Sequence, residues 1–208
     1  EFLRQLLGAW LETLPDGVKD QILAIDGKCL RGTNDTFNST LHLVSLFAVE
    51  RGILLAQQPV DKKSNEITAI PKILDEIDIK GAVITIDAMG CQKSIAKKIS
   101  DHGGDYVLAL KGNAGLIYDE VVQYFKEAEE AGYKYLDHTV FFDKDLEHGR
   151  VVNRTVRCVQ DIEWLPQAKE WEKLKGLIEV ICKREEKEKL SIERRYYITC
   201  IDANAERL

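Results

Sequence analysis

The run Ile22 to Gly32, ILAIDGKCLRG, sets the hardest constraint on this chain. Unbroken Ile, Leu and Ala mark a strand covered on both faces, yet the run carries Asp26, and a carboxylate there is costly unless it is paired or bound to metal. A second run, Ala82 to Met89 (AVITIDAM), repeats the pattern with Asp87 near its C-terminal end. If the two strands lie side by side and parallel, both carboxylates converge at one sheet edge, where α/β proteins place active sites. Two such acids could hold a divalent metal. The plainer reading is structural: Asp before Gly is a common turn pair, and Asp at a strand end often only caps the next helix.

Taken in order, the chain opens with Phe2, Leu3, Leu6, Leu7, Trp10 and Leu14 at helical spacing, ended by Pro15-Asp16-Gly17. This is read as the end of an N-terminal helical element, residues 1–17. After the Asp26 strand comes a polar loop, Thr33 to Thr40, and then LHLVSLFAV and ILLAQQPV around Arg51-Gly52, a hairpin pattern. Ile67, Ile70, Leu74 and Ile77 follow helical spacing, with Pro71 tolerable if the helix starts near Thr68, which could cap it. That helix is the crossover expected to make the Asp87 strand parallel to the first. Gln92 to Asp101 reads as a helix with Ile95, Ala96 and Ile99 inward, followed by a strand at Tyr106 to Gly112. A helix from about Ala114 to Ala131 carries Tyr118, Val121, Val122 and Phe125 on one stripe.

Three antiparallel strands, a crossover helix, a parallel strand with an acid, a helix and a fifth parallel strand form the order of the ribonuclease H-like fold. The expected class is therefore an α/β mixed sheet with helices on both faces, its core spanning residues 18–132. Residues 133–208 change character. TVFFDKD, RVVNRTVRCVQ, LIEVICKRE and ERRYYITC are strand-like, with a short helix near Gln167 to Leu174, so this part reads as a β-rich insertion. The mixed charges of Lys183 to Lys189 read as a solvated hairpin tip.

Composition narrows the classes further. A chain of 208 residues, 45% of them hydrophobic, can bury a real core. No apolar run approaches the roughly 20 residues that span a bilayer, and no signal peptide opens the chain, so no membrane partner is expected. The five cysteines form no C-x-x-C pair and support neither a disulfide framework nor a zinc site. The expected location is the cytoplasm. A net charge of −6 argues against binding polyanions through overall charge. Local basic groups remain candidates for phosphate: Lys62–Lys63, Lys93 with Lys97 and Lys98, Lys111, and Arg150 with Arg154 and Arg157.

The segments AIDGKCLRG, KSNEITAIPKILD, AVITIDAMGCQK, YVLALKGNAG, EHGRV and RRYYIT, in that order, resemble the bacterial insertion-sequence transposases of the H-repeat-associated family, part of the DDE transposase group. The resemblance implies metal-dependent DNA strand cleavage and strand transfer, with insertion-sequence ends and target DNA as partners. It implies nucleoid association when DNA is bound, and leaves a homodimer open. It also implies two magnesium or manganese ions about 3.5 to 4 Å apart in the complete enzyme, one activating water or a DNA 3′-hydroxyl and the other stabilising the leaving oxygen. Asp26 falls on the first acid, which would bridge both ions, and Asp87 on the second. Lys28, Arg31, Lys111 and Asn113 fall where DNA phosphates would lie. His148-Gly149-Arg150 also matches the family, without an assigned role. The third acid is a glutamate on a helix after the strand matching Arg195 to Cys200, and Glu206 does not match it. The chain is therefore expected to be part of a longer one, lacking the final core helix and inactive alone.

Two other readings stay open. A phosphatase or other phosphoester hydrolase on an α/β sheet is one, although no G-x-G-x-x-G or G-x-x-x-x-G-K-[ST] occurs and Lys28 stands two positions after Asp26. The other is a noncatalytic transposase remnant that binds DNA or a partner chain.

Overall fold

The computed structural model describes residues 17–30, 41–60, 65–147, 150–186, 189–202 and 204–206. The expected N-terminal helix, the loop Thr33 to Thr40, Arg31, Lys62–Lys63 and His148-Gly149 lie outside them. The chain divides into two compact units between Leu108 and Ala109.

The first unit is built on β1 (Ile22–Leu30), which pairs antiparallel with β2 (Leu41–Ala48) and parallel with β4 (Val83–Ile86). Strand β3 (Ile53–Pro59) continues the antiparallel side and β5 (Asp105–Leu110) the parallel side, giving the order β3-β2-β1-β4-β5. The four-residue turn between β2 and β3 closes on Gly52, whose φ of +66° suits a residue without a Cβ. Strand β1 is central and β4 lies beside it, as the element order predicts.

Alternation then selects the core. Leu23 and Ile25 of β1, Val44 and Leu46 of β2, Ile84 and Ile86 of β4, and Tyr106 and Leu108 of β5 are all buried. Helices α1 (Glu66–Leu74) and α2 (Lys93–Asp101) add Ala69, Ile70, Ile73 and Leu74, and Ile95, Ala96 and Ile99. Each such aliphatic side chain contributes about 1.5 to 3 kcal/mol on burial. Together they fix where the crossover helix ends.

Two local expectations shift. Helix α1 starts at Glu66 with extended Asn65 before it, not at Thr68, and Pro71 lies inside it. Thr68 donates its hydroxyl proton to the carbonyl of Asn65 at 2.9 Å instead of opening the helix. The stripe it buries is Ala69, Ile70, Ile73 and Leu74, because the earlier start turns Ile67 only half inward. Strand β4 is also shorter than its apolar run, stopping at Ile86 where Ala88–Gly90 form a 3₁₀ turn. A Cβ on Gly90 would overlap the side chain of Ile86 and lie 2.9 Å from Ile70, so only glycine lets this turn pack so tightly.

The second unit holds α3 (Leu116–Glu130) and an antiparallel meander of β6 (His138–Glu147), β7 (Arg150–Val159), β8 (Gly176–Glu186) and β9 (Lys189–Thr199). The buried stripe of α3 is Ile117, Val121 and Phe125, with Tyr118 and Val122 only half-buried. The expected helix near Gln167 is a 3₁₀ turn, Pro166–Glu170, ending at buried Trp171. Lys183 to Glu186 are strand, not hairpin tip, since Lys183 pairs with Ile192 and Glu185 with Leu190.

One charge is fully enclosed here. Glu179 of β8 is 0% exposed and accepts from Arg194 at 2.9 Å, Arg157 at 3.3 Å and the Tyr133 hydroxyl at 3.3 Å. Arg157 lies 4.0 Å over the Tyr133 ring, and Arg194 also donates to both oxygens of Glu129 on α3 at 2.7 and 2.8 Å. Burial pushes the Glu179 carboxyl above its usual range, opposed by the pull of Arg194 and Arg157. Removing one member of such a network leaves charge buried and unpaired, which costs about 3 to 5 kcal/mol. Glu179→Ala is therefore expected to lower unfolding stability by about that amount, read from the urea midpoint at constant slope.

Candidate functional site

The two aspartates of the apolar runs are brought together by strand register. Ile25 of β1 pairs with Ile86 of β4 in a parallel ladder, and the next residues are Asp26, still within β1, and Asp87, just past the end of β4. Both are exposed while the residues before them are buried. The apolar neighbours hold the strands, while Asp26 lies within β1 where its ladder with β4 ends and Asp87 follows the last residue of β4.

Asp87 has a second, structural task. It is the N-cap of the Ala88–Gly90 turn, and its Oδ1 accepts the backbone N–H of Met89 at 3.1 Å. The capping alternative is thus real for Asp87, and it leaves Oδ2 open to other partners.

A third acid, not singled out by the sequence reading, approaches them. Glu66 opens α1, and its carboxyl group occupies the space where a side chain at position 27 would stand, since a Cβ built on Gly27 would overlap it. The carboxyl is held above the usual glutamate range, first by burial, then by the charges of Asp87 and Asp26, with His42 pulling weakly the other way. The available signal was the segment KSNEITAIPKILD itself, where Glu66 begins the crossover that leads from β3 into β4. Spacing alone could not show that its side chain turns back toward β1.

The donors fit a hard divalent cation. They are carboxylate oxygens, the ligand type that magnesium and manganese take. Among the described residues, neither Asp26 nor Asp87 has an ion-pair partner, and no three His, Cys, Asp or Glu side chains stand close enough to cage an ion as they are. Nearby Cys91 is buried, its thiol pushed up to about 12 by burial, so it is a packing group rather than a nucleophile.

Lys28 is exposed on β1, paired with Leu43, two residues beyond Asp26. Lys111 and Asn113 are exposed in the second unit, Lys111 immediately before the 3₁₀ turn Gly112–Ala114 and Asn113 within it. Four of the other basic candidates form ion pairs within the chain. Lys97 pairs with Asp101, Lys98 with Asp75, Arg154 with Asp143, and Arg157 with Glu179.

Three antiparallel strands followed by two parallel ones, with one acid within the first and one just past the fourth, define the first unit as ribonuclease H-like in class. Comparison with known proteins then gives the family: the model of the transposase DDE domain matches residues 17–202, and the chain belongs to it. A protein of Xanthobacter autotrophicus, "Uncharacterized protein in dhlA 3'region", is 43% identical over 88% of this chain and 60% of its own length. "Putative transposase YncI" of Escherichia coli O157:H7 is 39% identical over 94% of this chain and 51% of its own. "H repeat-associated putative transposase YhhI" of Escherichia coli K12 is 36% identical over 95% and 53%. The chain thus spans between about half and 60% of the length of these relatives.

The crowded acid has a measurable effect on stability. Because the Glu66 carboxyl titrates above 4.5 when folded, its proton favours the fold fully below 4.5, and that contribution is lost as pH rises through the raised folded value. Without divalent cations, Glu66→Gln is expected to raise the melting temperature at pH 7 and to leave it unchanged at pH 4, as read by paired thermal melts.

Proposed function

We propose that this chain carries the two-aspartate part of a metal-dependent DNA strand cleavage and strand transfer site of the DDE type, acting on insertion-sequence ends. The observation that supports the reading is the parallel rung Ile25–Ile86, the last of the ladder, after which Asp26 and Asp87 are the next residues of the two neighbouring segments. Family membership points the same way.

In this reading Asp26 and Asp87 would each offer carboxylate oxygen to a divalent cation. Bound magnesium or manganese supplies Lewis-acid stabilisation of the phosphoryl oxygens and a more acidic bound water. The Met89 N–H holds one oxygen of Asp87, which fixes the carboxylate plane and aims the other oxygen outward. Lys28 contacts phosphate beside Asp26 and supplies affinity without sequence information. Arg31, Lys111 and Asn113 are proposed as further DNA contacts. No residue of this chain is assigned to the third acid of the family.

The test uses the complete gene product with DNA carrying an insertion-sequence end. Asp87→Asn should lower strand cleavage in magnesium or manganese by at least about a hundredfold, since metal stabilisation of the transition state is worth several kcal/mol and each 1.36 is tenfold. Lys28→Ala should weaken DNA binding uniformly across sequences and reduce the salt slope by about one. Unchanged cleavage by Asp87→Asn, with the same protein level and fold, overturns the assignment.

A further inference from the structure

We propose that two copies of this chain join along β6, antiparallel and centred on Phe142, so that the meander of one copy continues into that of the other. This does not depend on the reading of the two aspartates.

Two independent observations meet on this strand. Strand β6 ends the order β9-β8-β7-β6, so the backbone N–H and C=O groups along its outer side have no strand partner among the described residues. It also carries Val140, Phe141, Phe142 and Leu146, which are 39%, 40%, 68% and 71% exposed. Apolar residues exposed singly are ordinary and need no explanation. Here they stand together on an open strand, the arrangement that templates pairing with another chain.

The usual protections of an edge are weak in β6. The strand runs for ten residues without proline, and it pairs with β7 in unbroken register, so no bulge twists it away. Charge is the protection that remains, in Asp143, Lys144 and Asp145. Asp143 is already matched by Arg154 of β7, which donates to it at 3.1 Å. Lys144 and Asp145 then select a register instead of forbidding the contact.

A second copy is the occupant these side chains suit. A two-fold axis normal to the sheet keeps each face on its own side, and residues opposite one another across an antiparallel pair share a face. Because faces alternate along a strand, residues that meet differ by an even number, and one residue of β6 must lie on the axis. With Asp143 or Lys144 there, that residue would face its own charge. With Phe142 there, ring meets ring, Val140 lies opposite Lys144 of the second copy, Phe141 opposite Asp143, Thr139 opposite Asp145 and His138 opposite Leu146, so no like charges meet. Moving the axis to Phe141 sets His138 against Lys144 and leaves Leu146 outside the pair. The four apolar side chains expose about 400 Å² per copy, taking about 200 Å² for each whole side chain. A standard interface takes about 800 Å² from each partner, so this pair is a weak one that exchanges at micromolar concentration.

The experiment is sedimentation equilibrium on the 208-residue chain from about 1 µM to about 100 µM, the range over which a micromolar pair dissociates, with circular dichroism to check each fold. Wild type should pass from monomer to dimer. Phe142→Glu sets two carboxylates against each other on the axis and should raise the dissociation constant at least about a hundredfold, since like charges in contact cost several kcal/mol. Val140→Glu sets its carboxylate opposite Lys144 of the second copy, so it should keep the dimer within about tenfold of wild type and make it weaken with added salt. Both positions are exposed, so neither substitution opens the core. Wild type that stays monomeric across the range leaves the edge to a different occupant and overturns the proposal. A dimer that Phe142→Glu leaves intact, or one that Val140→Glu abolishes as fully as Phe142→Glu does, overturns it as well.

Discussion

Repulsion among like charges where the β1–β4 ladder ends is the constraint that the first unit is built to withstand. Asp26 and Asp87 are set side by side by a parallel rung, and the first turn of α1 adds Glu66 to the same neighbourhood. The opposing force is apolar burial along both strands and on α1. A half-buried acid near two others is tolerated because several aliphatic side chains, each contributing about 1.5 to 3 kcal/mol, hold the backbone where it is. The charged end is thus strained locally and stable globally, a combination common at sites that handle ions.

The second unit solves the opposite problem. Glu179 is enclosed completely, but it sits among Arg194, Arg157 and Tyr133, and Arg194 reaches on to Glu129. Here each charge finds its counter-charge within the protein, so the network joins β7, β8, β9 and α3. The contrast separates charges used to build structure from charges left facing outward. It also takes up Arg157, one of the basic residues that looked able to meet phosphate.

Much of the sheet of the first unit was legible in the sequence, because strand, turn and crossover signals agreed with one another. The hairpin at Gly52 and the inward face of α2 follow from residue type alone, whereas β1, whose unbroken apolar run suggested cover on both faces, buries Leu23 and Ile25 and leaves Ile22 and Asp26 exposed. Local boundaries were harder. Pro71 suggested a helix starting at Thr68, yet the packing of Ala69 and Ile70 draws the start back to Glu66 and leaves proline inside. The length of β4 was overread because Ala88 and Met89 are apolar, whereas the Asp87 cap turns the chain before them. Of the candidate site, the register of Asp26 and Asp87 could be inferred, but Glu66 could not. Its position depends on a side chain entering a gap, and no periodicity encodes that.

Asp87 serves two masters through its two oxygens, one fastening the backbone after β4 and the other facing outward. Substitutions there consequently separate geometry from charge. Asparagine keeps a carbonyl oxygen to receive the Met89 amide while discarding the anion, whereas alanine unfastens the turn as well and lets Gly90 drift from its seat on Ile86 and Ile70. A defect caused by alanine at this position would thus report two losses at once.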